Sequence, residues 1–136
     1  MKKDIEIPKV DKVSVAVVKE LNEEKTHEIY NVYLLNFRDS MLKNVLISSK
    51  GYGENKTTGE KINTSVLRHF IGDVEGNSYA KIEPIVEDVF GVNNEYWVSF
   101  YSGNQMYDKK YIFLAESILD ENMINIPILN QKGVMI

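Results

Sequence analysis

The sequence contains no cysteine. That excludes a disulfide framework, a thiolate zinc site and a cysteine nucleophile. It contains only two arginines, Arg38 and Arg68. Arginine is the forked donor for phosphate and carboxylate, so a site built from several guanidinium clamps is out of reach. The formal net charge is −4, which opposes a sequence-independent grip on nucleic acid, because that grip rests on Lys and Arg neutralising phosphates. No apolar run approaches the ~20 residues that span a bilayer. The chain starts Met1-Lys2-Lys3-Asp4-Ile5-Glu6-Ile7-Pro8, and Asp4 and Glu6 break the apolar run a secretory leader needs. The expectation is a soluble, cytoplasmic chain without membrane contact.

What is present fits one globular domain. The 136 residues are 43% apolar and 26% charged, enough for a core without low complexity. The dominant pattern is short runs of β-branched and aromatic residues separated by turn formers. Val13, Val15 and Val17 share a face by period 2. Glu28 to Phe37 carries Tyr30, Val32 and Leu34 on one face and Tyr33, Leu35 and Phe37 on the other, which predicts a central strand covered on both sides. Leu42 to Ser49, Thr64 to Ile71 and Ser78 to Glu83 follow as strands, with a polar loop over residues 51–60. Ala80 and Ile82 form the inward pair of the last.

Pro84 suits the first turn of a helix, and Val86, Val89 and Phe90 recur at helical spacing, so a helical turn is expected there. Glu95 to Tyr101 and Tyr107 to Leu114 read as a hairpin about Gly103-Asn104. That pairing sets Lys109 on the face of Tyr107, Tyr111 and Phe113, which calls for a bulge near Asp108 or a longer loop. Ser117 to Asn122 reads as another helical turn, capped by Ser117. Ile124 to Leu129, interrupted by Pro127, suits an edge strand or an arm. About seven main strands at these spacings predict an all-β, immunoglobulin-like β-sandwich. It would span residues 1–136 as one domain, with 124–136 as a possible C-terminal arm.

Motifs for chemistry are sparse. Gly51-Tyr52-Gly53-Glu54-Asn55-Lys56-Thr57 has the glycines and Lys-Thr of a phosphate loop. A phosphate loop also needs glycine directly before Lys-Thr and a helix after it. Here Asn55 precedes Lys56, and Gly59 with Asn63 oppose a helix, so a plain interstrand loop is expected. The acids Asp73, Glu75, Glu83, Glu87 and Asp88 lack the ligand spacing of a calcium loop and read as solvated turns. Asn55-Lys56-Thr57 and Asn63-Thr64-Ser65 match the glycosylation pattern, a chance match without a secretory leader. No metal site and no cofactor is expected. His27 and His69 have no nucleophile motif beside them. A small-ligand or hydrolytic site, if there is one, would gather His69, Arg68 and Lys56 of the 51–60 loop, with His69 as base.

The strings Ser48-Ser49-Lys50-Gly51-Tyr52, Leu67-Arg68-His69-Phe70, Lys81-Ile82-Glu83-Pro84, Glu95-Tyr96-Trp97-Val98-Ser99-Phe100 and Asp108-Lys109-Lys110 carry a resemblance over most of the chain. It is similar to a family of short bacterial proteins, some labelled phenylalanyl-tRNA synthetase subunit. The resemblance implies an accessory β-domain of such a synthetase as one reading. It does not imply an aminoacylating centre, whose mixed α/β fold and ATP-binding arginines this chain does not supply. The residues themselves point first to a non-enzymatic, self-associating interaction module. The hairpin is aromatic on both faces, and the C-terminal stretch is apolar. Trp97, Tyr101, Met106, Ile126 and Ile128 are the candidate interface residues.

Overall fold

The computed structural model describes residues 9–136. The leader reading of Met1 to Pro8 lies outside the described residues. Among the described residues ten strands form: β1 (Val13–Leu21), β2 (Glu28–Asn36), β3 (Leu42–Glu54), β4 (Lys61–Asn63), β5 (Leu67–Val74), β6 (Ser78–Ile85), β7 (Asn93–Ser102), β8 (Gln105–Phe113), β9 (Ile124–Ile126) and β10 (Gln131–Met135). The first sheet runs β6-β2-β1-β10-β9. The second runs β4-β3-β7-β8, with β5 beside β4 on the same edge of β3. Every pairing is antiparallel. The molecule is an all-β sandwich, as the alternation predicts. Among the described residues no helix is long and apolar enough to cross a membrane.

Alternation places the core. Val15 pairs with Leu34 and Val17 with Val32 across β1 and β2. These four meet Leu42, Val45, Ile47, Tyr96, Val98, Phe100 and Phe113 of the second sheet between the layers. Each aliphatic side chain so buried stabilises the fold by roughly 1.5–3 kcal/mol. The other face of β1 and β2 is covered too, as the two-faced pattern of β2 predicts. Ala16, Val18, Tyr33 and Leu35 pack under Ile126, with Phe37, Leu129 and Met135 beside them.

The cover comes from the C-terminal stretch. It is an integral edge of the first sheet, with β10 on β1 and β9 on β10. Only Ile124–Ile126 of the expected 124–129 strand forms; beyond it the chain turns sharply. Leu129 N–H donates to the Pro127 carbonyl at 2.8 Å, and Ile128 between them stands at φ 71°. That is a γ-turn about a β-branched residue, a strained conformation.

Four other expectations need correction. Pro84 does not open a helix; it lies within β6, opposite Asn31. β6 is an edge strand, where a missing donor is tolerated. The turn after it is a single 3₁₀ turn at Glu87–Val89. The expected loop 51–60 is shorter: β3 continues to Glu54 and returns at Lys61. The expected strand from Thr64 begins only at Leu67. Ser117 caps no helix; its hydroxyl donates to the Leu114 carbonyl, and the 3₁₀ turn at Asp120–Asn122 starts after Leu119.

The β7–β8 hairpin needs no bulge. Ser102 pairs with Gln105 and Val98 with Lys109 in unbroken register. Gly103 takes φ 61°, the requirement of the first position of a type II′ turn. Lys109 is accommodated because β8 is an edge strand: its ammonium reaches the rim, 4.9 Å from the Tyr111 ring centroid.

Candidate functional site

Two features stand out: a carboxylate cluster between the sheets and an apolar outer face on the second sheet. The cluster begins with an irregularity in β6. Val32 pairs with Glu83, but the next residue, Tyr33, pairs with Lys81, leaving Ile82 as a bulge. An extra residue shifts the alternation by one. Ala80 and Ile82 face inward as expected, and after the bulge Glu83 and Ile85 face inward as well.

Glu83 therefore points at the inner face of the second sheet. Its Oε1 accepts from the Ser49 hydroxyl at 2.8 Å and from His69 Nε2 at 2.7 Å. Its Oε2 accepts from the Tyr96 hydroxyl at 3.0 Å. The His69 tautomer follows from its partner, since a carboxylate can only accept. Register brings these donors together from three strands: Ser49 is the partner of both Leu67 and Tyr96, and His69 lies in the adjacent row beside Ile47. The Glu83 side chain is only 13% exposed. Burial, then the charge of Glu83 and the hydrogen bond to it, push the Tyr96 phenol well above its ordinary range.

The order of contacts matters for chemistry. In a hydrolase triad a histidine stands between the hydroxyl nucleophile and the acid. Here Glu83 stands between Ser49 and His69, so the serine hydroxyl faces a carboxylate and not an imidazole. The cluster is a carboxylate held by three donors. It lies on a cleft of about 300 Å³ between the β3–β5 edge and the end of β6. Ser49, Glu83 and Tyr96 line it from below, Ser49 and Tyr96 buried, beside Leu67, Pro84, Ile85, Val86 and Val89.

The ligand-binding candidates do not converge. His69 enters the cluster, half-buried. Arg68, its neighbour on the strand, points to the opposite face, in the row of Ser48 and Trp97. Lys56 lies in the β3–β4 turn and is paired with Glu116 at 2.6 Å. His27 sits in the β1–β2 turn, its Nδ1 3.1 Å from the Thr26 hydroxyl. Among the described residues no group of three or more His, Asp or Glu side chains is placed to hold a metal ion. Sequence reasoning left Glu83 among solvated acids because strict alternation from Ile82 turns it outward. Ser49 was legible: it follows Ile47 in the inward phase of β3, where a hydroxyl is out of place.

The second feature is the outer face of the second sheet. Two adjacent rows cross it, Phe70–Leu46–Ser99–Asp108 and Arg68–Ser48–Trp97–Lys110, and beyond the first row stands the pair Tyr101–Met106. Phe70 is 72% exposed, Met106 48% and Trp97 43%, and Leu46, Tyr101 and Ile112 are also exposed. The Lys110 ammonium lies 4.7 Å from the Trp97 ring centroid. Three of the interface candidates, Trp97, Tyr101 and Met106, thus share this face. Ile126 is fully buried within its own chain, and Ile128 is half-buried in the γ-turn on the other sheet. Phe70 and Leu46, the further members of the face, were passed over as ordinary strand residues.

Searches with this chain found no matching family model, no matching curated protein and no matching solved structure.

Proposed function

We propose that the protein is a non-enzymatic, cytoplasmic interaction module that self-associates through the outer face of its second sheet. The immunoglobulin-like kinship suggested by its strand spacing belongs to the same proposal. The observation that carries it is the exposed patch of Phe70, Leu46, Trp97, Tyr101 and Met106 on one sheet face. Large apolar patches of this kind on a folded domain mark interaction sites, and aromatic anchors with Arg dominate such interfaces.

A second copy is the partner that the charges favour. A closed dimer is isologous, so the face must complement itself. A two-fold axis running across the strands, between the two rows, sets each row on the other row of the second copy. Lys110 then meets Asp108 and Arg68 meets Phe70, each twice. The first contact is an ion pair and the second a cation–π contact.

The test is sedimentation equilibrium of the whole chain over a wide concentration range. A reversible dimer that Phe70→Asp converts to monomer, with unchanged thermal stability, is expected. A wild-type monomer at every concentration, or a dimer indifferent to Phe70→Asp, overturns the reading.

A further inference from the structure

The cleft beside Glu83 offers a second surface, independent of the outer face. All three donors around the carboxylate are spent on it. Ser49 donates to Oε1, His69 donates to Oε1, and Tyr96 donates to Oε2. A hydroxyl that donates its one proton keeps lone pairs, so Ser49 and Tyr96, buried at the floor of the cleft, can offer it acceptors and no further proton. Oε2 accepts only one hydrogen bond and has capacity for another. The polar side chains of the floor therefore offer acceptors and a negative charge. The walls are the apolar side chains of Leu67, Pro84, Ile85, Val86 and Val89.

Lys50, which also lines the cleft, and Arg68 turn their charged ends elsewhere. Lys50 is directed to Glu95, 3.8 Å away on the outer face, and Arg68 shares that outer face. We propose that this cleft is a binding site for a small primary amine in its ammonium form, carrying an apolar tail. An ammonium has three donors and no acceptor, the complement of Glu83 Oε2, Tyr96 Oη and Ser49 Oγ. The tail lies along Leu67, Val86 and Val89. At about 30 Å³ per water-sized group, the 300 Å³ of the cleft hold on the order of ten non-hydrogen atoms. The ligand is thus a short aliphatic or arylalkyl amine, too small to be a peptide.

Hexylammonium, hexanol and hexanoate make a matched set of probes, since they share the tail and differ in the head. Titration into the ¹⁵N-labelled protein should give saturable shifts of the Ser49, Gly51, Leu67 and Val86 amides with hexylammonium. Hexanol and hexanoate should bind at least about tenfold more weakly, the usual weight of a charge-assisted hydrogen bond. Glu83→Gln should remove the preference for the amine. Leu67→Trp, at a half-exposed position on the cleft wall, should block all binding while leaving the fold intact. It supplies the test if Glu83→Gln fails to fold. Equal binding of hexanol and hexylammonium, binding that survives Leu67→Trp, or no saturable shift with hexylammonium each overturns the proposal.

Discussion

Glu83 of the first sheet and His69 of the second meet at 2.7 Å across the sandwich, and a single bulged residue, Ile82, makes the meeting possible. The carboxylate is nearly buried, so removing it leaves Ser49, His69 and Tyr96 without their acceptor. Glu83→Ala is expected to cost about 2–4 kcal/mol in urea unfolding. His69→Ala should cost less, because Glu83 keeps two donors. The two together should show a coupling of about 1–2 kcal/mol in a double-mutant cycle. Strict additivity would mean that the contact contributes nothing.

Alkaline pH should unfold the protein earlier than its charge alone suggests. Burial raises the phenols of Tyr33, Tyr96 and Tyr111 above the ordinary value of 10.0. Folded, they keep their protons above pH 10; unfolded, they lose them. Their contribution is therefore complete below about pH 10 and falls as pH rises from there towards the folded values. The denaturation midpoint should be flat from neutral pH to about 9 and drop above 10. Tyr96→Phe should make that drop shallower, and an unchanged slope would show that Tyr96 ionises equally in both states.

Deletion of residues 124–136 should abolish folding rather than merely change association. The deletion takes away β9 and β10, uncovers Ala16, Val18, Tyr33 and Leu35, and opens the edge of β1. Losing Ile126 and Val134 from two apolar clusters costs several kcal/mol before any strand pairing is counted, against a total stability of about 5–15 kcal/mol. The amide spectrum of the truncated chain should collapse to the dispersion of an unfolded polypeptide. A well-dispersed spectrum would show that β1 and β2 need no cover.

The strands of the core were legible because β1, β2 and β7 obey a strict two-residue period over long runs. Val15, Val17, Val32 and Leu34 needed no tertiary information to be placed. The cluster was not legible because it depends on a break in that period. Glu83 faces in only after the extra residue at Ile82, and nothing in Lys81-Ile82-Glu83-Pro84 announces a bulge. Pro84 misled for a related reason: an edge strand tolerates it, and edge status is a property of the sheet. Lys109 suggested a bulge because an inward position was equated with burial, whereas an inward position on an edge strand opens to the rim. Ile126 read as an interface candidate because the sequence does not say that a short β9 folds back onto β10.

The self-association reading makes a charge-specific prediction. Asp108 and Lys110 are both exposed on β8, two residues apart on one face. In the two-fold arrangement each Lys110 meets the other copy's Asp108. Lys110→Asp sets Asp against Asp108 at two symmetry-related places, and Asp108→Lys sets Lys against Lys110. An isolated exposed pair is worth little, but two like-charge contacts inside an interface cost more. Each single variant should weaken the dimer about tenfold, or roughly 1.4 kcal/mol. The doubly exchanged chain, Asp108→Lys with Lys110→Asp, keeps the complementarity with its sign reversed and should recover most of the affinity. Sedimentation equilibrium at two salt concentrations reads the outcome, because the penalty of the singles should shrink as salt screens it. Singles that dimerise like the wild type would mean the faces pack in another register. A loss in Lys110→Asp that the exchanged chain does not rescue, with Asp108→Lys dimerising like the wild type, would assign the loss to the Lys110–Trp97 contact within one copy.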